Sequence, residues 1–177
     1  MIIVALIYLE QLTGSVYEGQ VISLLEQADK EFIPPLSARG STTQAQLTDM
    51  QSVSAGVMDY YTTMSKQPII LAVSDHVCVG FMSFKVNYHC LQTPAFPNLY
   101  ASTCVVAPQA RGQGLMKSFY VKMAEIYPTH TIFTRTWHTN HAHIRVLEKL
   151  GFALIARLKD HRGPGLDTVY YAHTANN

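Results

Sequence analysis

Charge is scarce in this 177-residue chain: 14% of it is Asp, Glu, Lys or Arg, and 13 basic against 12 acidic side chains leave a net charge of +1. That balance offers no broad electrostatic attraction to nucleic acid or to an anionic membrane. Cysteine is sparse too. Cys78, Cys90 and Cys104 form neither an even framework nor a Cys-x-x-Cys pair, which argues for reduced thiols in a cytoplasmic protein. The apolar opening MIIVALIYLE has no positive leader and no small-residue cleavage site, and it falls short of the roughly 20 residues that cross a bilayer. It reads as a buried first strand. Acidic residues are missing altogether between Asp75 and Glu125, so the middle of the chain supplies no carboxylate base. What is present is a 48% hydrophobic sequence whose length suits one globular domain over residues 1–177.

Periodicity divides the chain into elements. Residues 15–31 carry Val16, Ile22, Leu24, Leu25 and Ala28 on one side of a helix, which Ile33-Pro34-Pro35 ends. LSARGSTT reads as a loop, and Ser41 or Thr42 caps a second helical region reaching about Lys66, with an interruption near Gly56. PIILAVSDHVCVGFMSFKVNYH predicts a hairpin turning at Ser74-Asp75-His76, and LYASTCVVAP a further strand stopped by Pro108. Residues 112–127 predict a helix with Leu115, Phe119, Met123 and Ile126 as its apolar stripe. HTIFTRTWH is a strand, residues 141–150 a short helix ended by Gly151, and FALIARL and TVYYAHT are closing strands. The expected fold class is α/β around a mixed sheet.

The stretch QARGQGLMKS, residues 109–118, is built to hold phosphate. A Walker A loop requires a second glycine where Met116 stands, and a dinucleotide fingerprint requires three spaced glycines where GQGLMK has two. A loop that feeds a helix nevertheless presents unpaired amides and partial positive charge, and glycines admit a ligand close to the backbone. The bland alternative is a strand–turn–helix junction without a ligand. Arg111-Gly112-Gln113-Gly114-Leu115-Met116 resembles the acyl-CoA loop of the GNAT superfamily of N-acyltransferases, with Met116 in place of its final small residue. NHAHIRVLEKLGF, residues 140–152, resembles the second signature of that family, through Asn140 and Glu148-Lys149-Leu150-Gly151-Phe152. The two stand in order with a strand between them, and the resemblance extends over about residues 68–174.

The resemblance implies a GNAT-like mixed, mostly antiparallel sheet flanked by helices and splayed at the acyl-CoA site. It implies acetyl transfer from acetyl-CoA, as cosubstrate and without a metal, to a primary amine of a small molecule or peptide. By the same resemblance the backbone of Val105 and Val106 pairs with the pantetheine, residues 111–116 hold the pyrophosphate, and Asn140 contacts the pantetheine or caps its helix. The partner is an amine acceptor of unspecified identity; neither nucleic acid nor membrane is expected, and a homodimer is compatible with the chain. A non-catalytic CoA-binding regulatory domain, or an acyltransferase using a longer acyl-CoA, are the competing functions.

Catalysis is less legible. An ammonium of pKa about 10.4 is neutral in roughly one molecule in two thousand at pH 7, whereas a thiol of pKa about 8.5 leaves readily, so a base matters more than an acid. The tyrosine that the family places seven residues after the Asn is replaced by Leu147. The base falls to His, Tyr or a water relay, with His138 the leading candidate, then Tyr100 and His89. Tyr170 and Tyr171 lie on the last strand, where one face could line the acceptor pocket. His138, His141 and His143 lack a completing carboxylate or cysteine for a metal. Cys104, in an apolar strand, reads as a core residue, which makes direct transfer the expected route.

Overall fold

The computed structural model describes residues 3–47 and 56–174. Seven strands form one open sheet in the order β1-β2-β3-β4-β5-β7-β6. The strands are β1 (Ala5–Leu9), β2 (Ile69–Ser74), β3 (Val77–Val86), β4 (Asn98–Val106), β5 (Thr131–Trp137), β6 (Ala153–Leu158) and β7 (Thr168–His173). Four α-helices accompany them among the described residues: α1 (Glu18–Ala28), α2 (Met58–Met64), α3 (Leu115–Ile126) and α4 (His141–Lys149). Every neighbouring pair is antiparallel except β4 and β5. The mixed, mostly antiparallel sheet expected from sequence is therefore the one that forms, and no described helix is long and apolar enough to cross a membrane.

The hairpin between β2 and β3 turns through Asp75 and His76, both left-handed at φ 47° and 67°. Two such residues give a turn whose twist matches that of the strands. Two sequence expectations change. β1 is an edge strand with no fully buried residue, because it has a neighbour on one side only. The second helical region shrinks to α2; residues 40–47 form turns, and the rest of the expected span, residues 48–55, lies outside the described residues. The polar run before it bonds locally instead of entering a helix: Gln44 Oε1 accepts from the Gly40 N–H at 2.7 Å, and Gln44 Nε2 donates to the Gln46 carbonyl at 2.7 Å.

The sheet packs on both faces. Val105, Phe81, Leu71 and Ile69 meet α1 and α2 on one side, while Leu99, Ala101, Phe84 and Ile132 meet α3 and α4 on the other. Phe81, Phe84, Phe119 and Phe133 are each 0% exposed, and burying such a side chain contributes about 1.5–3 kcal/mol. Strand alternation sends Phe133, Arg135 and Trp137 of β5 to the face opposite Ile132. There, a small aromatic cluster of Tyr100, Phe133 and Tyr170 replaces the large cores.

The β4–β5 ladder is short. It pairs Asn98–Ala101 with Thr131–Thr134 and then stops. Thr134 Oγ1 donates to the Ala101 carbonyl at 2.8 Å at that point. The register of β4 against β3 also shifts there, between Ser83 and Phe84, leaving Ser102 as an extra residue. A bulge bends a strand and increases its twist. Beyond it β4 stays paired to β3 but diverges from β5, opening a fork in the middle of the sheet.

Candidate active site

The fork opens into a cavity of about 650 Å³ lined by β4 from Ala101 to Val106, by β5 from Thr134 to Trp137, and by the start of α3. Two strand edges face it without a partner strand. β4 is held firmly from behind: a Cβ on Gly80 would lie 2.9 Å from the Val105 carbonyl oxygen, so only glycine lets β3 approach β4 at the residues that border the fork.

From β4 the chain passes through the short turn Pro108–Ala110 into the loop at residues 111–114. Gly112 and Gly114 are left-handed, at φ 76° and 77°, and a Cβ on either would project into open space. Gly114 caps α3 without any side-chain acceptor. Among the described residues, the backbone N–H groups of residues 112–117 find no acceptor; the bonds on either side run from Arg111 N to Pro108 O and from Ser118 N to Gly114 O. An uncapped helix start with a run of free amides is an anion cradle, so the residues present fit a pyrophosphate.

The structure brings Val105, Val106, Arg111, Gly112, Gly114, Leu115, Met116 and Asn140 to the cavity wall. Gln113 is not part of that wall, although its amide belongs to the free run. Arg111 is engaged elsewhere: its Nε donates to the Val106 carbonyl at 3.0 Å, and its Nη2 pairs with both Glu31 oxygens at 2.9 and 2.8 Å. Asn140 caps α4 by accepting from the His143 N–H at 3.4 Å, while its Nδ2 donates to Thr136 Oγ1 at 2.9 Å.

None of the residues expected as a base is part of the cavity wall. His138 is outside the cavity wall, and its Nδ1 accepts the Asp167 N–H at 3.1 Å, which engages the lone pair a base requires. Tyr100 is 2% exposed and stacks against Tyr88 and Phe133 at 5.0 and 5.1 Å. His89 accompanies Thr93 and Phe96 in the loop after β3. Tyr170 is buried with Tyr100, and Tyr171 packs on the α3/α4 side. Among the described residues no group of His, Cys, Asp and Glu is arranged to hold a metal ion.

Two features escaped the sequence reading. The first is a pair on the α3/α4 face: the Tyr120 hydroxyl lies 2.8 Å from His143 Nε2, and both residues line the cavity. Burial holds the Tyr120 phenol well above its ordinary pKa and pushes His143 down to about 4, so both are neutral near pH 7. Cys104, beside Tyr120, is pushed up to about 12 by burial and is a thiol there. The second is a group of three arginines, Arg39, Arg135 and Arg162, on the opposite face. Arg135 was detectable as a cation on the apolar face of TIFTRTW; Arg39 and Arg162 sit in loops that carry no periodic signal.

A forked sheet whose gap leads to a helix start with free amides has the shape and donors that fit an extended ligand ending in an anion. The family model for the GNAT acetyltransferase family matches residues 40–152, and the chain belongs to that family. Its fold is shared with the ribosomal-protein-S18-alanine N-acetyltransferase of Escherichia coli (12% identity, TM-score 0.66, 99% of this chain and 96% of that one). It is shared equally with an N-acetyltransferase of Staphylococcus aureus Mu50 (15% identity, TM-score 0.64, 97% and 99% covered). A third relative in fold, from Salmonella typhimurium, was solved with acetyl-CoA as its cofactor (14% identity, TM-score 0.65, 98% and 95% covered). No curated protein matches the sequence.

Proposed function

We propose that this protein transfers an acetyl group from acetyl-CoA to a primary amine by direct attack. The observation that carries the reading is the continuity of one cavity from the unpaired edge of β4 to the free amides at the start of α3. In this reading the backbone of Val105 and Val106 pairs with the pantetheine amides, and one N–H there faces the thioester oxygen. Residues 112–116 bind the pyrophosphate. Arg111 ties the loop to Glu31 and orients it, and Asn140 keeps the start of α4 beside the gap.

The amine nitrogen bonds to the carbonyl carbon and releases its extra proton to solvent, and the C–S bond breaks. Tyr120 gives its proton to the departing sulfur and recovers one through His143. The phenol is suited to this because burial keeps it protonated across the neutral range. Cys104 takes no part, since its thiol stays protonated at neutral pH.

The test is release of free CoA thiol from acetyl-CoA across an amine library. Turnover with a sequential initial-velocity pattern supports direct transfer. Calorimetric binding of CoA without turnover of any amine would leave a regulatory CoA-binding domain, and preference for longer donors would make the protein a different acyltransferase.

A further inference from the structure

The three arginines raise a question the donor site does not answer. Each is anchored by a neutral carbonyl. Arg39 Nε and Nη2 donate to the Pro34 carbonyl at 3.1 and 2.7 Å, Arg135 Nη2 donates to Gln44 O at 2.6 Å, and Arg162 Nη1 donates to Ile33 O. Arg162 Nε also donates to Thr168 Oγ1 at 2.9 Å. None of the three forms an ion pair among the described residues, where the salt bridges are Arg111–Glu31, Lys122–Glu125 and Arg157–Asp167. Yet Arg162 is only 6% exposed, and a buried charge that no described carboxylate pairs with is costly. Burial, with Arg39 and Arg135 nearby, pulls Arg162 down to about 9. A chain with so little charge has gathered three cations at one wall of one cavity.

The Arg135 and Arg162 bonds explain how residues 33–44 are fastened to β5 and to the loop before β7, but carbonyls neutralise nothing. Donors are also left over. Arg39 Nη1 and Arg162 Nη2 have no acceptor among the described residues, where every fully buried side-chain nitrogen and oxygen has a partner. The leftover nitrogens therefore border open space, and all three arginines line the cavity. Alternation along β5 puts Arg135 on the face opposite α3 and α4, away from the amides of residues 112–117. The donor's phosphates thus have their own site, and the arginines face the other mouth of the fork.

We propose that Arg39, Arg135 and Arg162 form an anion subsite for the acceptor, and that the acceptor is a small primary amine bearing a carboxylate, of the amino-acid class. Planar guanidinium forks match carboxylate geometry. One carboxylate leaves the cluster net positive, which disfavours the ammonium form of the nearby amine and favours the free base. That supplies what the wall otherwise lacks: its carboxylate, Glu31, is held by Arg111. The inference rests on the acetyl-transfer reading for the role of the amine, but the anion subsite stands separately from turnover.

The experiment has two readouts. Thiol release is measured with amino acids, their C-terminal amides and ethanolamine phosphate; binding of N-acetyl amino acids and their amides is measured by calorimetry with CoA present. The acid should exceed its amide by about 30-fold or more in kcat/KM. Arg162→Gln and Arg39→Gln should raise KM for the acid by about tenfold or more and leave the Kd of acetyl-CoA unchanged. Arg162→Lys, which keeps the charge, serves if the glutamine variants fail to fold and should retain part of the preference for the acid. Equal turnover of acid and amide, or arginine variants that change CoA binding instead, overturns the subsite while acetyl transfer survives. Ethanolamine phosphate outranking every carboxylate overturns the carboxylate assignment. Arginine-dependent binding of N-acetyl amino acids without turnover of any amine upholds the subsite and removes the acetyl-transfer reading.

Discussion

The two mouths of the fork use different chemistry. At the mouth on the α3/α4 face the groups suited to an anion are backbone: free amides at residues 112–117 and two left-handed glycines. On the other face they are side chains: three guanidinium groups from a loop, a strand and a second loop. Amides of one local segment suit a ligand that is always the same. Long side chains converging from positions 39, 135 and 162 suit a ligand particular to this protein, because changing any one of them alters the pocket without disturbing the donor loop.

The comparison breaks most sharply at Gly114. Gly114→Asp combines a left-handed strain with an anion in the amide cradle and should weaken CoA binding by about 100-fold or more; Gly114→Ala, carrying the strain alone, should weaken it less, as calorimetry would show. Acidification separates the faces by another route. His143 has a folded pKa near 4, below its ordinary 6.5, so the unfolded chain binds the extra proton more readily. Its stabilising contribution is full above pH 6.5 and is lost as pH falls toward 4, on the order of 2–3 kcal/mol in denaturant titrations. The arginines keep their charge throughout. His143→Gln should flatten that pH dependence.

Tyr120→Phe should lower kcat about tenfold with the Kd of CoA unchanged, a modest effect because a thiolate leaves readily. The smallest effect belongs to Arg111→Ala, about fivefold or less on CoA affinity, since the pair with Glu31 is half-exposed. Glu31→Gln sharpens the result: matching loss means the pair orients the loop, whereas a gain in affinity means that Arg111, once released, reaches the phosphates itself.

The same division explains what could be read from sequence. Strands, the two-residue hairpin and α3 were legible because period-2 and period-3.6 patterns survive in one dimension. The loop at residues 111–116 was legible because its glycines and its helix are contiguous. The shortened second helix was hidden, since its preceding Ser, Thr and Gln residues satisfy local bonds instead. His138 attracted notice by residue type and strand position, but its engaged Nδ1 is a tertiary fact. Tyr120 and His143 lay on different helices, 23 residues apart, and no spacing rule connects them.

The four-residue seam between β4 and β5 has a mechanical consequence. The sheet behaves as two jaws, β1–β4 and β5–β7–β6, riveted at one end by the Thr134 hydroxyl on the Ala101 carbonyl. Changes at the outer edges, β1 or β6, move one jaw's rim and leave the gape alone. Changes at the rivet alter the gape for both substrates together, so the width of the bite is set by residues that need touch neither of them.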